Sequence, residues 1–90
     1  MKSVKGIVIN ELGIHARPSS LIAQEASKYN VEFTILFKGR NANLKSILNM
    51  TSLAMKKDNE FILEAKGVDE VNALKKMVSF LESNKFIKVI

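Results

Sequence analysis

Cysteine is absent from the 90-residue chain, and histidine and proline occur once each. Without cysteine there is no disulfide, no thiolate metal site and no thiol nucleophile, a usage that suits a cytoplasmic protein. A single histidine excludes a multi-histidine metal centre, so no metal and no cofactor is expected. With one histidine and two aspartates, no Ser-His-Asp constellation can be argued. Long apolar runs are also missing. The opening Met1-Lys2-Ser3-Val4-Lys5-Gly6-Ile7-Val8-Ile9 is too short for a signal peptide or a membrane span, and no membrane insertion is expected. No internal repeat, linker or low-complexity stretch interrupts the chain.

What is present describes one soluble domain over residues 1–90. Hydrophobic residues make up 47% and charged residues 26%, too apolar for a disordered tail. Area scaling gives a folded surface of roughly 5,300 Å² for this mass, with close to two-thirds of the unfolded surface buried. Fourteen basic residues against nine acidic ones leave a net charge of +5. That balance permits phosphate-bearing, nucleic-acid or acidic protein partners without choosing among them.

Residues 3–9, rich in Val and Ile, read as a strand followed by a loop from Asn10 to Gly13. Helical spacing runs from Ala16 to Lys28, with Leu21, Ile22, Ala26 and Tyr29 on one side. Pro18 falls early enough in it to be tolerated. Strands are predicted over 31–38, 41–44 and 60–66, and a short helix follows Ser46. Val68 to Asn84 is the clearest helix, with Val71, Leu74, Val78 and Leu81 as its buried stripe. The order β-α-β-β-α-β-α implies an α+β fold, mostly antiparallel and covered on one face. Phe86 to Ile90 is left as a C-terminal extension (85–90) without an assigned role.

The chemistry concentrates in Gly13-Ile14-His15-Ala16-Arg17-Pro18. His15 stands at the N-cap position of the first helix, where first-turn N–H groups lack intrahelical partners. An imidazole is a nitrogen nucleophile near neutral pH. A phosphoryl group captured there would lie over free backbone amides, with Arg17 supplying a fixed cation and paired donors. A plain helix cap or a solvated loop side chain is the competing reading of His15. Ser46 also has two readings: an N-cap, or a phosphorylation site favoured by the helix terminus, with Lys45 adjacent. Ile47, Leu48 and Met50 either bury one side of a short helix or form an adaptable docking surface.

The blocks around His15 and Ser46, with Ala26-Ser27-Lys28-Tyr29, Asn43-Leu44-Lys45-Ser46-Ile47, Met50-Thr51-Ser52-Leu53 and Glu64-Ala65-Lys66-Gly67, resemble the HPr family of bacterial sugar phosphotransferase systems. The resemblance runs from about residue 3 to residue 84. It implies an open-faced β-sandwich, a four-stranded antiparallel sheet with three helices on one face. It also implies that His15 accepts a phosphoryl group on Nδ1 from enzyme I and passes it to enzyme IIA domains. The chain would then be a phosphohistidine relay intermediate and not a stand-alone enzyme. By the same resemblance Arg17 holds the phosphate, the amides of Ala16 and Arg17 cradle it, and Ser46 is the target of HPr kinase/phosphorylase. Ser20, Leu21, Ile47, Leu48 and Thr51 fall where the family docks partners, among them a catabolite-control transcription factor.

Leu12, Asn49 and Thr51 depart from residues common in the family. Leu12 keeps a nitrogen-linked regulatory branch open, and a purely regulatory adaptor is a rival reading. A basic nucleic-acid-binding module is a remoter one, disfavoured because the cations are spread from Lys2 to Lys88. Strict strand alternation sends Leu36, Ile62, Ile7 and Ile9 to the outer sheet face. Phe86, Ile87, Val89 and Ile90 are expected to fold back over that face, or the face to pair with another molecule.

Overall fold

A computed structural model describes residues 2–90. Its elements run β1 (Lys2–Val8), α1 (Ala16–Ala26), β2 (Val31–Phe37), β3 (Arg40–Asn43), α2 (Ile47–Ser52), β4 (Glu60–Gly67), α3 (Glu70–Ser83) and β5 (Ile87–Val89). The strands form one sheet in the order β3-β2-β4-β1-β5, with every pairing antiparallel. The α+β antiparallel fold is as expected. The count of four strands is corrected to five. The accessible surface, 5309 Å², is that of a chain fully collapsed around one core.

Alternation decides which face is covered. Phe33, Ile35 and Phe37 of β2 and Phe61, Leu63 and Ala65 of β4 are all buried, as is Val8 of β1. Leu36 and Ile7 are half-buried, and Ile62 and Ile9 are exposed, so the outer face carries the apolar side chains that the alternation predicts. The helices supply the other wall through Ile22 and Ala26 of α1, Met50 of α2, and Leu74, Met77 and Leu81 of α3.

Two predicted helix faces need correction. Leu21 is 37% exposed and stands outside the core stripe of α1. In α3 the buried row is Ala73, Leu74, Met77 and Leu81, while Val71 is 47% exposed and Val78 is only partly covered. The two valines flank that row on the side toward β1 and β5.

The tail does not lie over the outer face. Instead Phe86 and Ile87 enter the core, and Ile87, Lys88 and Val89 pair with Val8, Ile7 and Gly6. The turn that sends them there is a helix-ending motif built on Lys85, whose φ is +59. The Phe86 N–H donates to the Leu81 carbonyl at 3.0 Å and the Lys85 N–H to the Glu82 carbonyl at 3.0 Å. This double closure reverses the chain at the end of α3 and sets it beside β1. Glycine is the usual residue for that left-handed position, and none stands here. Replacing Lys85 by Gly therefore removes side-chain strain, and we expect a gain of about 0.5–1 kcal/mol in urea denaturation.

Candidate functional site

The loop before α1 is held closed from both ends. Gly13 donates its N–H to the Asn10 carbonyl at 2.9 Å, and Asn10 Nδ2 donates back to the Gly13 carbonyl at 2.8 Å. Ile14 is buried and donates to the Met55 carbonyl at 2.9 Å, which ties the loop to the segment after α2. Lys57 Nζ meets Glu11 Oε1 at 2.9 Å across the same gap. That hydrogen bond, aided by the Glu11 charge, holds the Lys57 amine above its ordinary pKa. The buried Ile14 acts as an anchor, so the next residue points outward.

That residue is His15, the N-cap of α1, exposed and with φ −88 and ψ −166. Its side chain makes no cap hydrogen bond, which leaves the ring available. Its carbonyl accepts the first intrahelical bond, from the Ser19 N–H at 3.0 Å. Ala16, Arg17 and Pro18 precede that bond, and proline has no N–H. The helix terminus therefore offers two backbone donors, at Ala16 and Arg17, together with the positive end of the macrodipole. Arg17 is exposed beside them.

Two hollows flank the imidazole. One is lined by His15, Ala16, Leu12, Thr51 and Lys56, and the other by His15, Arg17, Leu21, Asn84 and Phe86. Sequence reasoning named His15, Ala16, Arg17, Leu21 and Thr51 and missed Lys56, Asn84 and Phe86. The last two arrive through the reversal after α3, which no local residue pattern announces. Lys56 lay in plain view as part of a polar turn, without a signal that the turn would face His15.

Ser46 is the N-cap of α2. Its Oγ accepts from the Asn49 N–H at 3.2 Å, and its carbonyl accepts from the Met50 N–H at 3.1 Å. Lys45 Nζ turns away and donates to the Tyr29 carbonyl at 2.9 Å. Ser46 lines neither hollow beside His15. Thr51, in the last turn of α2, lines one of them, and the helical rise between them separates the two by roughly 7.5 Å. Its hydroxyl is bonded back to the Ile47 and Leu48 carbonyls at 3.0 and 3.2 Å. Ile47 is 43% and Leu48 79% exposed, Ser20 is half-buried, and Leu12 is 77% exposed. The cap reading of Ser46 has a direct consequence. Ser46→Ala is expected to cost about 1 kcal/mol in chemical denaturation, and Ser46→Asp, which keeps an acceptor, much less.

Among the described residues no helix is long and apolar enough to cross a membrane, and no cluster of three or more metal-ligating side chains is found.

The family model described as PTS HPr component phosphorylation site matches residues 2–83. The chain belongs to the HPr family. Its similarity to the phosphocarrier protein HPr of Mycoplasma genitalium is 39% identity over 88 residues, covering 97% of this chain and 100% of that protein. A histidine-containing phosphocarrier protein of Mycoplasma superposes with a TM-score of 0.91 at 32% identity, covering 97% of this chain and 99% of that one. HPr-C-His from Thermoanaerobacter tengcongensis gives 0.85 at 37% identity, with 92% and 93% covered. HPr proteins are phosphocarriers of the phosphotransferase system, and this chain is one of that kind. Its place in that system requires partner proteins of the same relay.

Proposed function

We propose that His15 is the phosphoryl acceptor, receiving the group from phospho-enzyme I and handing it to enzyme IIA domains of sugar permeases. The observation that carries this reading is the uncapped, exposed imidazole beside two backbone donors at the N-terminus of α1. As the donor's bond to phosphorus breaks, a bond from His15 Nδ1 to phosphorus forms; the ring proton is carried on the opposite nitrogen. The Ala16 and Arg17 amides and the Arg17 guanidinium hold the phosphoryl oxygens, and the helix dipole adds to the attraction. Delivery to the acceptor reverses the same bonds, so the chain is a relay intermediate that works in the cytoplasm and needs no cofactor.

Leu21, Ile47, Leu48, Thr51 and Ser20 form the contact surface for these partners in this reading. Small exposed apolar groups beside basic ones suit brief, weak encounters with acidic partner faces. Incubation with phosphoenolpyruvate and enzyme I, followed by mapping of the label, tests the relay. Acid-labile phosphate on His15 supports it, and no label with any of several enzyme I preparations defeats it.

Ser46 supports a second, regulatory reading. Its hydroxyl sits at the N-terminus of α2, where a phosphate is electrostatically favoured and would alter the surface that Ile47 and Leu48 present. HPr kinase/phosphorylase would add that phosphate, and a catabolite-control transcription factor would read it. An acid-stable label at Ser46 from a kinase extract is the corresponding observation.

A further inference from the structure

His15 has a cation in each of its two hollows. Arg17 lines one of them and Lys56 the other, and neither lines both. The Lys56 hollow, about 440 Å³ in volume, is also lined by Leu12, Ala16 and Thr51. Its neighbour in sequence is engaged elsewhere. Lys57 holds Glu11 at 2.9 Å, whereas among the described residues Lys56 forms no ion pair.

Backbone bonds fix Lys56 in that place. Its N–H donates to Asn59 Oδ1 at 2.8 Å, and its carbonyl accepts from the Asn59 N–H at 3.1 Å. The same turn is stapled to β1. There the Val8 N–H donates to the Asn59 carbonyl at 2.9 Å, and the Asp58 N–H to the Val8 carbonyl at 2.8 Å. On its other side the Lys56 Cα packs so close to Gly13 that a Cβ on Gly13 would lie 3.0 Å from it. Position 56 is therefore held against the loop two residues before His15, with its side chain exposed.

Resting on His15 as the phosphoryl acceptor, we propose that Lys56 is a second catalytic cation, contacting the phosphoryl group as it passes between partner and ring. As the donor's bond to phosphorus breaks, its electron pair leaves with the donor and the imidazole supplies the new pair. Negative charge is meanwhile spread over three equatorial oxygens around that axis. Arg17 serves the oxygens on one side of the ring and Lys56 those on the other. Lys56 neither gives nor takes a proton. While the hollow is open, its ammonium keeps its water, and the contact is worth little. A docked partner excludes that water and strengthens the attraction at the moment of transfer. Lys56 thus lowers the barrier in both directions without deepening the loaded state.

Single-turnover transfer from labelled phospho-enzyme I, quenched rapidly over a range of donor concentrations, provides the test. For Lys56→Gln the maximal rate should fall about tenfold, with the half-saturating concentration within about twofold of the parent. Return of the label to unphosphorylated enzyme I should slow by the same factor, leaving the end-point ratio unchanged. Lys56→Arg should recover most of the rate, because it restores a cation at the same place. The melting temperature of both variants should match the parent, since the side chain is exposed. An unchanged maximal rate overturns the proposal. So does a change confined to the half-saturating concentration, which would make Lys56 a docking contact only. A shifted end-point ratio overturns it as well, because the contact would then belong to the loaded state. Absence of label on the parent protein is a separate result, which defeats the relay reading itself and this proposal with it.

Discussion

His15→Ala protein, incubated with phosphoenolpyruvate and enzyme I, takes up no acid-labile phosphate, while its circular dichroism and melting temperature stay close to those of the parent. Loss should be complete because no other histidine exists to substitute. The fold should survive because the imidazole is exposed and makes no cap hydrogen bond, so its removal opens no cavity. Arg17→Ala tests the other half of the site. It removes the guanidinium beside the amide pair but leaves the nucleophile, so phosphoryl acceptance should slow by about 100-fold without disappearing. Stopped-flow or rapid-quench transfer from labelled enzyme I separates the two. Full activity in His15→Ala would end the relay reading.

Gly13→Ala should be the most damaging single methyl in the molecule. Gly13 has φ +71, and a Cβ there would lie 2.3 Å from the Met55 carbonyl oxygen and 3.0 Å from the Lys56 Cα. Both obstacles are backbone, so neither can rotate aside. That carbonyl is also the acceptor for the Ile14 N–H, so relieving the clash loosens the bond that anchors the loop. Left-handed strain and overpacking together cost roughly 3 kcal/mol or more, a drop of about 15 °C in melting temperature for a domain of this size. Because His15 is aimed by the burial of Ile14, transfer should slow as well, even at temperatures where the variant is folded. An unchanged melting temperature would mean that the loop is not held as described.

How much of this was legible beforehand depended on how local each feature is. The His15 site could be read because its parts occupy one short stretch: Gly13 for the left-handed turn, an exposed ring at the cap, and Pro18 where a missing N–H is harmless. The inward faces of β2 and β4 were equally plain, since period-two alternation needs no knowledge of the partner strand. β5 escaped because the turn before it uses Lys85 where glycine would have signalled a reversal. The side of α3 was misjudged for a related reason. Val71 and Val78 are apolar at helical spacing, but which apolar row turns inward is set by where β1 and β5 lie. Lys56, Asn84 and Phe86 reach the site from distant segments, and no spacing rule links them to position 15.

Pro18 carries a consequence for energetics. A phosphoryl group presents three terminal oxygens, while the missing N–H restricts the helix terminus to two backbone donors. In the proposed relay the remaining oxygen is left to the exposed Arg17 guanidinium and to water, so the loaded ring would keep much of its tendency to give the group up. A deeper, fully satisfied pocket would lower that state and slow onward delivery. A cradle open to solvent would keep the equilibria with donor and acceptor close to balance. Flux through such a carrier then follows whichever end of the chain is being drained.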